Sequence, residues 1–183
     1  MDIQKLKQFG KVKANEPLAK HTTFKIGGPA RFYVVVEETE KIVALLRLLD
    51  GEGSDYFVMG GGSNMLAPDN GYDGMVIQIR NSNLEIRNSN MIVDAGSTMV
   101  AIARQSMKAG LTGFEWGAGV PGTIGGAVRG NAGAMGGEMK DVVVSVEAYR
   151  SGEVVLCSNQ ACHFGYRESA FKHSRDVVLR ATL

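Results

Sequence analysis

Glycine residues form two clusters that could place backbone amides around an anion. The chain has 24 glycines among 183 residues, roughly 13% against an average near 7%. The first cluster is Gly60-Gly61-Gly62-Ser63-Asn64-Met65, which offers successive N–H groups, a hydroxyl and an amide. Such a nest suits a phosphate or pyrophosphate, and the same composition is equally typical of a flexible turn. No Lys-Ser or Lys-Thr pair follows, so the cluster is not a P-loop.

The second cluster begins at Gly117 and allows two interpretations. Gly117, Gly119 and Gly122 have the GxGxxG spacing of a dinucleotide-binding turn. The preceding residues, Gly113-Phe114-Glu115-Trp116, lack the pattern of a buried strand, which argues against that interpretation. We therefore favour a different use of these glycines.

A short helix is predicted after this turn. Pro121 suits its first position and Thr123 supplies a hydroxyl in its first turn, where free N–H groups and the helix dipole favour an anion. Three small residues would let this helix approach another backbone or a flat ring: Gly125, Gly126 and Ala127. Two glycine-rich segments without a set of metal ligands predict an extended dinucleotide between two lobes.

A Tyr-Arg pair, Tyr166-Arg167, is a third candidate for chemistry. The planar guanidinium of Arg167 could hold a substrate carboxylate through two hydrogen bonds. The alternative is a surface arginine that is solvated or paired with Glu168. His21, His163 and His173 have neither triad nor metal-ligand spacing, so we assign them structural or exposed roles.

The elements that must position these residues alternate between strands and helices. Strand composition is found at 30–36, 56–59, 75–79, 142–149, 154–156 and 177–181, and a hairpin at 84–87 and 91–95. Ile42, Leu45, Leu46 and Leu49 form the stripe of a helix with Gly51 as its C-terminal cap. Ser97 or Thr98 caps a second helix, which ends at Gly110. The pattern predicts an α+β fold with two lobes, 1–74 and 75–183.

Composition narrows the function classes. The net charge of +1 and the absence of a basic block argue against nucleic acid as a ligand. No apolar run approaches the roughly 18 residues of a membrane helix, and the amino terminus lacks the pattern of a signal peptide, so we expect a cytoplasmic protein. Cys157 and Cys162 are too few for zinc or a redox pair, and no metal site is predicted.

Five motifs occur along the chain: HTTFKIGGPA at 21–30, GGGSN at 60–64, GFEWGAGVPGTIGGAV at 113–128, NAGA at 131–134 and YRESAF at 166–171. In their order and spacing they resemble the motifs of the UDP-N-acetylenolpyruvoylglucosamine reductase (MurB) family. The resemblance implies the two-lobed FAD-binding domain of the vanillyl-alcohol-oxidase-like (PCMH-type) flavoproteins. It further implies NADPH-dependent reduction of a UDP-sugar enolpyruvate, UDP-N-acetylglucosamine enolpyruvate, to UDP-N-acetylmuramate for peptidoglycan synthesis.

The resemblance also implies roles for single residues. Residues implied to contact non-covalently bound FAD are Gly60, Gly61, Gly62, Ser63, Asn64, Met65, Gly119, Pro121, Gly122, Thr123, Gly125, Gly126, Ala127, Asn131 and Gly133. Arg167 is the implied catalytic residue and, with Tyr166, binds substrate. Thr22 to Gly27 is implied to line the cofactor site.

The family has a third, substrate-binding domain that supplies a serine proton donor, and we expect that domain to be absent here. Ser169 lies in the Tyr-Arg motif and is not assigned as the donor. A chain without the donor should bind flavin and turn over poorly. The alternative is a non-catalytic FAD-binding module that needs a partner chain, or a chain without cofactor that self-associates through an exposed apolar face.

Overall fold

The structure describes residues 3–183, in a computed structural model of the chain. The chain forms two compact units, of which the first ends at Asn81 and the second comprises Ser82–Leu183. The boundary expected after residue 74 falls inside the strand Tyr72–Ile79. That strand pairs with Pro29–Val36 of the first unit, and this pairing extends the first unit to Asn81.

The first unit is a four-stranded sheet with helices. Its elements are α1 (Ile3–Lys7), β1 (Lys11–Pro17), β2 (Pro29–Val36), α2 (Thr39–Gly51), β3 (Tyr56–Met59) and β4 (Tyr72–Ile79). The strand order is β1-β2-β4-β3, with β1 antiparallel to β2 and the other two pairs parallel. The strands predicted at 30–36 and 56–59 are confirmed. The first glycine cluster directly follows the carboxyl end of β3.

Helix α2 has the predicted buried stripe but a different end. Its four stripe residues, Ile42, Leu45, Leu46 and Leu49, are all fully buried. Gly51 is part of the helix and not its cap, because the N–H of Glu52 still donates to the carbonyl oxygen of Leu48 at 3.0 Å. The left-handed residue that ends the turn is Gly53, with φ of +62°.

The second unit is built on a five-stranded antiparallel sheet. Its elements are β5 (Leu84–Arg87), β6 (Asn90–Asp94), α3 (Met99–Lys108), a 3₁₀ turn (Glu115–Gly119), α4 (Ile124–Arg129), β7 (Gly133–Ala134), β8 (Gly137–Glu138), α5 (Met139–Val142), β9 (Ser145–Arg150), β10 (Glu153–Ser158) and β11 (Val177–Thr182). The order is β10-β9-β11-β6-β5, and β7 and β8 form a separate hairpin. Helix α4 packs against the central strand β11.

Two local predictions in this unit are resolved by the structure. Of the two candidate caps for α3, Thr98 is the one used, since its Oγ1 accepts from the N–H of Ala101 at 3.3 Å. The strand predicted from residue 142 begins only at Ser145, because residues 139–142 form α5. Throughout residues 3–183, every helix is too short or too polar to cross a membrane.

Candidate cofactor site

The loop after β3 is shaped by Gly62. Its φ of +67° lies in the left-handed region, and a Cβ atom built there would lie 1.9 Å from the carbonyl oxygen of His21. Any side chain would therefore both strain the backbone and overlap the neighbouring segment. Position 62 requires glycine because two backbone segments approach each other closely there.

Two carbonyl groups of this loop accept hydrogen bonds, whereas three of its amides donate none within residues 3–183. The side-chain amide of Gln78 donates to the carbonyl oxygen of Gly60 at 3.2 Å, and the N–H of Thr23 donates to that of Gly62 at 3.1 Å. Within residues 3–183, the N–H groups of Gly61, Gly62 and Asn64 donate to no other residue. Successive unpaired amides around a left-handed residue form an anion-binding nest.

The segment from Thr22 to Gly27 forms its own tight turn beside this loop. The buried Thr22 hydroxyl donates to the carbonyl oxygen of Ile26 at 3.0 Å, and the N–H of Lys25 donates to the Thr22 carbonyl at 3.1 Å. Phe24 and Ile26 remain exposed by 59% and 46%. Both apolar side chains are therefore accessible at the surface of the first unit.

In the second unit, helix α4 begins later than predicted. Its first residue is Ile124, and Thr123 is the N-terminal cap, whose Oγ1 accepts from the N–H of Gly126 at 3.5 Å. Pro121 lies before the cap and is not the first helical residue. The Thr123 hydroxyl, which we expected in the first turn of the helix, therefore caps the helix through a hydrogen bond within the protein.

The expectation of free amides in the first turn of α4 is wrong. The N–H of Ile124 donates to the carbonyl oxygen of Ser97 at 2.9 Å, and that of Gly125 to Ala95 at 2.8 Å. Both bonds bring the loop before α3 against the start of α4. The unpaired donors lie just upstream, because the N–H groups of Gly122 and Thr123 have no acceptor among the described residues.

The two adjacent glycines of α4 differ in their surroundings. A Cβ atom on Gly125 would lie 2.9 Å from the Cβ of Ala95, which confirms the predicted close approach to another backbone segment. The nearest atom to a Cβ on Gly126 is the Thr123 hydroxyl at 3.5 Å, and Gly126 is exposed. Ala127 is buried. Of these three residues, only Gly126 is exposed to solvent.

Two buried polar atoms of the second unit lack partners among the described residues. Within residues 3–183 the hydroxyl of Ser97 and the indole nitrogen of Trp116 make no hydrogen bond. A buried polar group without a hydrogen bond destabilises the folded state by about 1–3 kcal/mol. Both unpaired atoms therefore need an explanation. A polar ligand accepting from these donors would supply one.

Asn131 organises the chain after α4. It is buried with φ of +40°, and its amide nitrogen donates to Glu138 Oε2 at 2.5 Å and to the carbonyl oxygen of Gly165 at 2.8 Å. Its amide oxygen accepts from the N–H of Lys140 at 2.9 Å. Both amide hydrogens are therefore used inside the protein.

The position of Gly133 in the β7–β8 hairpin explains why this residue is a glycine. It pairs with Glu138 in the β7–β8 hairpin, and a Cβ atom on it would lie 2.7 Å from the carbonyl oxygen of Gly137. The structure thus gives Asn131 and Gly133 positions that support the hairpin and the segment after α4.

Tyr166 and Arg167 form the tip of a tight turn. Gly165 and Glu168 exchange both backbone hydrogen bonds, at 3.0 and 3.1 Å. Arg167 has φ of +56°, a conformation that is uncommon for residues other than glycine and that concentrates at functional sites. Tyr166 is 93% exposed. The turn therefore presents both side chains outward.

The arginine of this turn is not neutralised by its neighbour. Glu168 pairs with Lys172 Nζ at 2.8 Å and with His173 Nε2 at 2.5 Å, and the Lys172 hydrogen bond is the main cause that lowers the pKa of Glu168. Arg167 forms no ion pair with any residue from 3 to 183. The interpretation as an Arg167–Glu168 surface pair is wrong, which leaves solvation or ligand binding.

Sequence reasoning missed one cluster in the first unit. Glu16 is a buried carboxylate that binds Lys13 and His21, and His21 stacks on the ring of Tyr33. His21 belongs to the first quoted motif, but Glu16 and Tyr33 lie on different strands and share no sequence signal. No group of His, Cys, Asp and Glu that could hold a metal ion occurs in the described part of the chain.

Comparison with known proteins defines the class first. A family profile described as FAD binding domain matches residues 30–158, and the chain belongs to this family. The structure is similar to alkyldihydroxyacetonephosphate synthase, with a TM-score of 0.71 and 20% identity, over 98% of this chain and 39% of that one. The predicted α+β, PCMH-type fold and the predicted FAD cofactor are confirmed at the level of the family.

At higher sequence identity, the chain is similar to UDP-N-acetylenolpyruvoylglucosamine reductases. The protein of that name from Caldanaerobacter subterraneus subsp. tengcongensis is 39% identical over 184 residues, which cover 98% of this chain and 61% of the relative. The crystal structure of the Thermus caldophilus enzyme (MurB) has a TM-score of 0.81 and 31% identity, over 94% of this chain and 61% of that chain. The predicted resemblance is confirmed, and the chain spans 61% of the length of both proteins.

Proposed function

We propose that this chain binds FAD non-covalently and provides the flavin-binding part of a UDP-N-acetylenolpyruvoylglucosamine reductase. The observation that carries the proposal is the set of unpaired amides at Gly61, Gly62 and Asn64. A pyrophosphate accepts hydrogen bonds from such amides without a metal ion or a lysine. When bound, FAD would supply hydride-transfer chemistry, with NADPH as the reductant.

The second unit has hydrogen-bond donors of its own that suit a polar group of a cofactor. The unpaired amides of Gly122 and Thr123 and the orphan hydroxyl of Ser97 suit oxygen or nitrogen acceptors. Gly126 gives a flat or polar group room to approach α4.

Arg167 and Tyr166 are proposed to bind the enolpyruvyl part of the substrate, UDP-N-acetylglucosamine enolpyruvate. Arg167 lies at the tip of a turn, and its guanidinium lacks a carboxylate partner among the described residues. It can therefore donate two hydrogen bonds to the substrate carboxylate and stabilise negative charge that develops beside it. The product would be UDP-N-acetylmuramate, an intermediate of peptidoglycan synthesis.

Ser169 is unsuited to the proton transfer that this reaction also requires. Its side chain is buried, and its hydroxyl donates to the carbonyl oxygen of Arg129 at 2.8 Å. The hydroxyl thus anchors the turn of Arg167 to the end of α4. We infer that full turnover needs a proton donor other than Ser169.

A fluorescence titration tests the proposed cofactor directly. Flavin fluorescence is followed as the chain is added to FAD, and ADP and inorganic pyrophosphate are then added as competitors. We expect saturable quenching of FAD that both competitors reduce, because the nest binds the pyrophosphate. Gly62→Ala should abolish binding, and Gly51→Ala, where a Cβ meets open space, is the matched control. A folded wild-type chain that leaves FAD fluorescence unchanged would refute the proposal.

A further inference from the structure

His21 lies directly behind the glycine loop of the first unit. Its carbonyl oxygen occupies the space that a Cβ atom at Gly62 would need. Two residues later the N–H of Thr23 donates to the carbonyl oxygen of Gly62 at 3.1 Å. The backbone of residues 21–23 therefore fixes the peptide groups on either side of Gly62.

The imidazole of His21 is anchored on two sides. Its Nε2 lies 2.9 Å from Glu16 Oε1, and its ring stacks on Tyr33 with centroids 4.1 Å apart at 22°. Glu16 is 7% exposed and is also bound by Lys13 at 2.8 Å. Both partners sit on neighbouring strands, β1 and β2, so they provide a rigid base.

Tyr33 reaches the same loop by a second route. Its hydroxyl donates to the sulfur of Met59 at 3.8 Å, and Met59 is the last residue of β3 before the loop. The methyl group of Met59 lies 3.1 Å from the position of a Cβ at Gly62. The cluster of Glu16, His21 and Tyr33 thus supports the loop through backbone and side chain.

We propose that His21 is a positioning residue, anchored by Glu16 and Tyr33, that holds the loop 60–65 in its pyrophosphate-binding conformation. This inference rests on the proposed function. To bind an anion, the nest needs its carbonyl groups to point away from the ligand. The hydrogen bond from the Thr23 N–H holds the Gly62 carbonyl group in that orientation. An unanchored His21 would let residues 21–23 shift and the loop amides diverge.

The test compares His21→Ala and His21→Gln with the wild-type chain. The glutamine retains a donor for Glu16 and loses the ring stack, whereas alanine loses both. Because a charge-assisted bond is lost, we expect His21→Ala to weaken FAD binding about tenfold or more, with His21→Gln between the two. His163→Gln is the matched control, since His163 is an exposed histidine of the second unit.

Hydrogen exchange at the Thr23 amide, without FAD, separates positioning from general destabilisation. We expect His21→Ala to accelerate exchange at Thr23 under conditions where denaturant curves show a folded chain, and His163→Gln to leave it unchanged. Wild-type exchange at Thr23 in folded His21→Ala would overturn the proposal, as would wild-type FAD affinity in that variant. If the wild-type chain does not bind FAD, the proposed function fails, and the exchange measurement still decides whether His21 holds the loop.

Discussion

The side-chain amide of Asn131 donates to the carbonyl oxygen of Gly165 at 2.8 Å, across 34 residues of sequence. This bond joins the segment after α4 to the turn that carries Tyr166 and Arg167. Ser169 adds a second connection through its bond to Arg129 at the end of α4. The proposed cofactor and substrate residues of the second unit are thus held by one hydrogen-bonded framework.

Replacing Asn131 should expose two separate energetic contributions. Asn131→Gly removes the buried amide and leaves its partners unsatisfied, at an expected cost of about 1–3 kcal/mol. Asn131→Ala loses the same bonds and must also adopt the left-handed φ, which adds about 1 kcal/mol. Urea unfolding measures both free energies. Alanine as stable as glycine at this position would show that the positive φ carries no cost.

The adjacent glycines of α4 should respond oppositely to alanine. Gly125→Ala brings a Cβ within 2.9 Å of Ala95 and should destabilise the chain by about 1–3 kcal/mol. Gly126→Ala meets no obstacle and should stabilise the helix by about 0.5–1 kcal/mol. Thermal or urea unfolding distinguishes the two variants.

The same Gly126→Ala variant tests the cofactor site. If FAD approaches α4 at this glycine, the added methyl group should weaken FAD binding about tenfold, equal to 1.4 kcal/mol, in spite of the gain in stability. Flavin fluorescence quenching gives the dissociation constant. Unchanged affinity in the stabilised variant would remove Gly126 from the predicted contacts.

Arg167→Ala should separate substrate binding from cofactor binding. The guanidinium lies at an exposed tip, so its removal should leave FAD affinity and folding intact. Affinity for the enolpyruvyl UDP-sugar, read from perturbation of the flavin spectrum, should fall by about 3 kcal/mol, a factor of roughly 100. Arg104→Ala, on the exposed face of α3, is the control. Loss of flavin from Arg167→Ala would show a structural arginine.

Acid should destabilise the first unit through Glu16. The pKa of Glu16 is held below its ordinary value of 4.5, first by the hydrogen bond from Lys13 and then by that from His21. The folded chain therefore binds this proton less readily than the unfolded chain. The stabilisation is complete above the ordinary pKa and is lost as the pH falls through the folded-state pKa.

Glu16→Gln should reveal that contribution. The variant should be less stable than the wild-type chain at pH 7, and the difference should shrink as the pH falls below about 4.5. Glu153→Gln, at an exposed position of β10, should follow the wild-type curve. A stability difference that is constant from neutral to acid pH would contradict a lowered pKa for Glu16.

Local patterns predicted the elements well and their long-range bonds poorly. The stripe of α2, a cap for α3 at Ser97 or Thr98, and the hairpin of β5 and β6 follow from spacing and turn chemistry among neighbours. The amides of Ile124 and Gly125 were expected to be free, yet carbonyls about 30 positions earlier accept from them. Such pairings depend on how α4 packs, which no local pattern specifies.

For the first glycine cluster, the local sequence did not decide between two structures. Its composition left a flexible turn and an anion nest equally open, and the structure shows that His21 packs closely against Gly62. The partners that anchor His21 come from β1 and β2, so the sequence of the loop alone held no sign of them.

The most direct measurement is the visible absorbance spectrum of the purified chain after addition of FAD, then NADPH, without oxygen. We expect a yellow protein that retains flavin through gel filtration, releases it on denaturation, and bleaches with NADPH. A folded, colourless chain that cannot be reconstituted with FAD would contradict flavin binding by residues 3–183.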